Sequence, residues 1–258
     1  MIRGIEVFKR YFGDFKDQYV IIGGAACDIV FEEVNMSFRA TKDIDMVLII
    51  EALTPEFGRR FWDFIDAGGY ENRAKSNGTP QFYRFDKPKE HDFPHMIELF
   101  ARSESTFYDD AHDCRPLHLG EEVSSLSAIL LSSDYYKLLL TDKEIISGVS
   151  ILPNAYLLLF KVKAWLDLSG RKASGQSIDE KDIRKHKNDV ARLAALLTGN
   201  ESFAVSQSIY TDLAEFIEAF ENDPPDMKSL KISGVTSTDV VAIMKRVYTK
   251  ELPDFQTL

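Results

Sequence analysis

The hydrophobic positions of this chain follow two periods, and the change between them comes near residue 130. In the first part short apolar runs alternate with amphipathic stretches. Ile5, Phe8, Phe12 and Phe15 recur at spacings of three and four, which predicts a helix over residues 4–16. "YVIIGG" reads as a buried strand ending in two glycines, and "AACDIVFEEV" continues as a helix with Ala26, Ile29, Val30 and Glu33 at helical spacing. A polar turn leads into the apolar strand Met46 to Ile50. Thr54 as N-cap and Pro55 as first helical residue open a helix over "PEFGRRFWDFIDA", closed by "GGY". "QFYRFDK" and "HMIELFAR" have the aromatic and β-branched content of strands. Residues 103–127 read as loop with short strands.

From about Asp134 the period is 3.6. "DYYKLLLTDKE" is helix-like, and "PNAYLLLFKVKAWLDL" is a helix opened by Pro153 with a Leu/Phe/Trp core stripe. "SGRKASGQSIDEK" reads as a polar hinge. "DIRKHKNDVARLAALL" and "SQSIYTDLAEFIEAFEN" are amphipathic helices, Pro224 and Pro225 break the chain, and a last helix spans about 237–249. The expected class is α+β: an α/β part over residues 1–132, then a helical part over 133–258.

Composition narrows the function classes. With 258 residues, 45% of them hydrophobic and including 18 Phe and 10 Tyr, the chain has ample material for a core. A formal net charge of −10 argues against a broad basic field for long nucleic acid and leaves room for a local basic groove. Cys27 and Cys114 are too few for a disulfide framework and lack metal-ligand spacing; Cys27 reads as a small buried apolar residue. No apolar run reaches the roughly 18 residues of a membrane span, and the N-terminus lacks a signal pattern, so no membrane partner and a cytoplasmic location are expected.

The chemistry concentrates in "RATKDIDMVLII". Asp43 and Asp45 alternate on a strand entrance and therefore share a face, about 7 Å apart along the backbone. Such a pair either caps a turn in water or holds a hard divalent cation, Mg²⁺ or Mn²⁺, which removes the repulsion between the carboxylates. Glu98, between apolar neighbours in "MIELF", is a candidate third carboxylate, or else the partner of a nearby Lys or Arg. Gly23 and Gly24 end a strand where a helix begins, a place where backbone N–H groups can face phosphate. His91, His95, His112 and His118 carry no spacing that supports zinc.

These residues resemble a family. "YVIIGGAACDIVFEE" followed by "RATKDIDMVL" is similar to the nucleotidyltransferase fold of the DNA polymerase β superfamily. The form "GG-A…R-x-T-x-D-I-D" is closest to the AbiEii-type nucleotidyltransferase toxins and their uncharacterised bacterial relatives. Gly23 and Gly24 match the glycine motif, Asp43 and Asp45 the metal-binding pair, and Arg39 and Thr41 the lead-in to it. Glu98 falls where the superfamily places its third carboxylate. In the helical part, Lys161 or Lys163 matches the family's phosphate-neutralising lysine, while Lys185 and Asp189 match a Lys/Arg-Asp-x-x-Asp motif in which His186 replaces the first Asp. The two motif residues lie four apart, so they could equally form a solvated ion pair.

The resemblance implies a catalytic domain over residues 1–132, built as a mixed sheet with flanking helices, and a metal-dependent transfer of NMP from an NTP to an acceptor hydroxyl of RNA (tRNA ends included), protein or a small molecule, with an antitoxin protein as a possible partner. A nucleotide-binding or antitoxin-partnered protein that keeps the fold without turnover is the competing reading, and a drug-modifying enzyme would share the same site.

Overall fold

The computed structural model describes residues 2–74, 80–101, 132–232 and 234–251. Its elements run, in chain order, α1 (Ile5–Phe12), β1 (Tyr19–Ile22), α2 (Gly23–Glu33), β2 (Asp43–Leu48), α3 (Pro55–Gly68), β3 (Glu71–Ala74), β4 (Pro80–Asp86), β5 (Met96–Phe100) and α4 (Ser133–Thr141). There follow β6 (Glu144–Ile146), β7 (Val149–Ile151), α5 (Asn154–Ala173), α6 (Glu180–Ala194), β8 (Phe203–Val205), α7 (Gln207–Asn222), α8 (Ser237–Val247) and β9 (Tyr248–Lys250). The reading of residues 103–127, Cys114, His112 and His118 falls outside the described residues. Contacts divide the chain into two compact units, residues 1–131 with 136–153, and residues 132–135 with 154–258.

The first unit is built on a mixed sheet whose described strands run β3-β4-β5-β2-β1-β7-β6. β2 lies antiparallel to β1 and parallel to β5, and β4 lies antiparallel to β5. One face is covered by aromatic side chains of α1 and α3. Phe8 packs edge-on against Tyr19 with ring centroids 5.5 Å apart, and Phe61 meets Phe85 at the same distance. Strand alternation then sends Ile22, Asp45, Glu98 and Arg84 to the opposite face. These four occupy consecutive strands in register, Ile22 opposite Asp45, Asp45 opposite Glu98, and Glu98 opposite Arg84.

Two features depart from the sequence reading here. "EIISGVSI" is a hairpin: Ser147 (φ 48°) and Gly148 (φ 83°) both take the positive φ that a two-residue turn between strands demands, and β7 continues the sheet parallel to β1. Residues 136–153 thus belong to the α/β unit, on the far side of the expected boundary at 132/133. β3 also forms, directly after the αL-terminated end of α3 at Gly69.

In the second unit α5 packs against α6 and α7. Trp165 stands edge-on to Phe216 at 5.3 Å, and the buried Tyr248 hydroxyl donates to the Ala155 carbonyl at 2.5 Å. β8 and β9 form a small parallel pair. The expected hinge from Ser169 begins later: α5 runs on to Ala173, its last turn carrying Arg171 and Lys172 where the helix dipole favours cations, and Arg171 lies 3.6 Å from Asp167 one turn back. Among the described residues no helix is long and apolar enough to cross a membrane.

Candidate active site

The glycine pair and the acidic strand meet. Gly23 has φ +71°, and a Cβ built there would fall on Oδ2 of Asp45, with the carboxyl carbon 2.9 Å away. The backbone therefore approaches the carboxylate as closely as only glycine permits, in a conformation that L side chains rarely adopt. Gly24 is equally hemmed in: a Cβ would lie 2.7 Å from Thr41 Oγ1 and 3.5 Å from an Arg39 Nη atom. The irregular stretch before β2 thus folds back over the first turn of α2. Phe38 anchors it by packing on Phe31, ring centroids 5.0 Å apart, and the Arg39 guanidinium stacks over Phe38 at 5.2 Å.

Both glycines belong to α2 itself, which opens at Gly23 with Ile22 as its N-cap. The Ile22 side chain has no acceptor, so the N-cap residue itself supplies no side-chain hydrogen bond, and no acidic residue stands in the first turn. The helix dipole adds to this a preference for an anion.

Asp43 and Asp45 are both partly exposed on one face of β2, as period two requires. Glu98 is their neighbour on β5, directly opposite Asp45, and only 8% exposed. Its carboxylate oxygen Oε1, however, forms an ion pair with Nε of Arg84 on β4. Among the described residues no three His, Cys, Asp or Glu side chains gather closely enough to hold a metal ion, which applies to His91 and His95 as well. The donor types suit a hard cation at Asp43 and Asp45; the third carboxylate is drawn toward arginine. Arg84 escaped the sequence reading. Alternation in "QFYRFDK" marks its face, but nothing local marks its partner.

The basic candidates lie in the second unit, and Lys161 and Lys163 each have an acidic partner. Lys161 is buried, 3.4 Å from the fully buried Asp189, which also takes Arg192 at 3.3 Å. Lys163 donates both its shorter bonds to Asp212, at 2.8 and 3.0 Å, and Tyr135 donates to the same carboxylate at 3.0 Å. Burial and the neighbouring Asp212 charge hold the Tyr135 hydroxyl far above the ordinary phenol range. Lys185 is exposed. The described ion pairs of Asp189 run across to α5 and along α6 to Arg192, so this aspartate is a core group and not half of a solvated surface pair. Arg192, Asp212 and Tyr135 had no motif to reveal them; a charge deep in an apolar stripe was the available signal for Lys161.

No family model matches the chain, and no curated protein matches it. Among solved structures it is similar to an antigenic nucleotidyltransferase-like protein from Paracoccidioides brasiliensis, at 18% identity over 91% of this chain and 93% of that one, with a TM-score of 0.46.

Proposed function

We propose that the first unit is a metal-dependent nucleotidyltransferase site that moves NMP from an NTP to an acceptor hydroxyl. The observation that carries this reading is the contact of Gly23 with the Asp45 carboxylate: it joins the N-terminus of α2, suited to phosphate, to a carboxylate pair suited to a divalent cation. Asp43 and Asp45 would hold Mg²⁺ or Mn²⁺. When bound, the cation supplies charge stabilisation at the phosphoryl oxygens.

The chain's own residues supply the rest. The first N–H groups of α2 receive phosphate oxygens, and Arg39, stacked on Phe38 beside Gly24, adds a cation to the same corner. The absence of Cβ at both glycines lets the Asp45 carboxylate and Thr41 pack directly against the start of α2. Acceptors of the RNA, protein and small-molecule classes are all compatible with this chemistry, as is a role as the toxin of a toxin–antitoxin pair.

A second reading, a nucleotide-binding protein without turnover, draws on one observation: Glu98 is committed to Arg84. One experiment separates the two. Each α-labelled NTP is offered with Mg²⁺ or Mn²⁺ to total RNA, to lysate protein and to the chain itself. Label that moves onto one pool and is lost in Asp45→Asn supports transfer. Retained transfer in Asp43→Asn or Asp45→Asn overturns the metal assignment. Thermal stabilisation by NTP without label transfer favours the second reading.

A further inference from the structure

Glu98 has two possible tasks, and the geometry separates them. A metal ligand beside Asp45 would turn its oxygens toward the carboxylate pair on β2. Instead Glu98 Oε1 forms an ion pair with Arg84 Nε across the other strand boundary, and neither atom has a hydrogen-bond partner among the described residues. A nearly buried ion pair on an internal strand is seldom more stable than two apolar residues of the same volume, because desolvation consumes most of the Coulombic gain. Retaining one here makes sense if it sets a side chain in place.

The ion pair holds the guanidinium, a rigid planar fork of five N–H donors, at the Glu98 carboxylate. The Nη atoms offer four of these donors on a side chain that is 26% exposed. Neighbouring strands are about 4.8 Å apart, which puts the Arg84 backbone about 10 Å from that of Asp45, on the same face and in the same row. The net charge of −10 provides no diffuse field to attract a triphosphate, so local cations have to. Arg39 stands at the β1 side of the acidic pair, against Gly24, and Arg84 at the β4 side.

We propose that Arg84 is a phosphate-binding residue of this site and that Glu98 is its positioning residue, not a ligand of the metal. The proposal rests on the nucleotidyltransferase reading and assigns one more of its substrate contacts. An arginine clamped by a carboxylate can present two parallel N–H groups to a phosphate, which lysine cannot.

Three variants test it: Arg84→Lys, Glu98→Gln, and the double variant Arg84→Met/Glu98→Met, which leaves no unpaired charge and so keeps the fold. Calorimetry measures Mn²⁺ binding alone, then inorganic tripolyphosphate binding in the presence of Mn²⁺, and steady-state transfer gives KM and kcat for NTP. In all three variants Mn²⁺ affinity is expected within about twofold of the parent chain. Tripolyphosphate affinity should fall about tenfold, the lower end for a hydrogen bond to a charged group, with KM rising and kcat little changed. The double variant should lose no more than either single one, because the two residues act as a unit.

A Glu98→Gln protein that loses tenfold or more in Mn²⁺ affinity while Arg84→Lys behaves as the parent makes Glu98 a metal ligand and overturns the proposal. Parental tripolyphosphate affinity in Arg84→Lys and in the double variant reduces the pair to a structural one and overturns it too. In either case loss of transfer in Asp45→Asn leaves the underlying reading standing. A parent chain that binds neither Mn²⁺ nor tripolyphosphate removes both.

Discussion

Gly23 and Asp45 are in contact through the space where any other residue would carry its Cβ. Residues 22 apart in sequence thereby form one corner, because β1 and β2 pair antiparallel with Ile22 opposite Asp45. Gly23→Ala should destabilise the chain by about 2 kcal/mol from the left-handed backbone alone. It should also displace the carboxylate and lower nucleotide transfer about a hundredfold, the scale of a 1 Å misplacement at a reacting centre. Thermal melting and the labelled-NTP assay check the two effects separately.

Gly24 makes a different prediction because its φ is ordinary and only space is lacking. Gly24→Ala brings a methyl group against Thr41 Oγ1, so removing that oxygen should relieve it. The double variant Gly24→Ala/Thr41→Ala is expected to recover part of the stability lost in Gly24→Ala, leaving a residue from the Thr41 Cβ at 3.3 Å. Strict additivity of the two changes in denaturant unfolding would contradict the packing described here.

Lys161 and Asp189 provide a test in the helical unit. Lys161→Met strands a fully buried carboxylate with Arg192 as its remaining described ion partner, and should cost about 3 kcal/mol. Lys161→Met/Asp189→Leu should regain most of that, since neither charge is then left alone. Chemical denaturation of the single and double variants gives the coupling directly. A single variant that loses nothing would show that the pair carries no weight in the core.

The pH dependence of one pair, a buried lysine with an exposed carboxylate, has a definite sign. Lys187 donates to the Asp223 carboxylate at 2.5 Å and holds it below the ordinary carboxylate range. Because the folded-state value is depressed, the pair's contribution is present in full above the unfolded pKa of about 3.9 and disappears as pH falls through the folded one. Asp223→Asn should therefore differ from the parent in denaturant midpoint at pH 6 and converge with it as the solution is acidified through the depressed folded-state value. Lys187 keeps its second bond, to the Asp223 carbonyl at 2.7 Å, so the effect is small.

Local periodicity determined much of this protein. A spacing of three and four marked α1 and the helices of the second unit, since burial of one helical stripe is a local demand on sequence, and Thr54 with Pro55 marked the start of α3. Alternation placed Asp43 and Asp45 on one face, and two consecutive glycines located the start of α2. What periodicity cannot carry is which strand lies beside which. Only the folded sheet set β5 next to β2 in the register that puts Glu98 opposite Asp45, and β4 next to β5 so that Arg84 meets Glu98. The same holds for the hairpin β6–β7, whose three-residue strands are too short to show a period and gain their place from β1. It holds again for Lys161, whose acidic partner Asp189 lies on another helix 28 positions away. A side chain's charge is written in its residue type; the opposite charge it meets is decided by long-range packing, where the cost of burial forces a partner to be found.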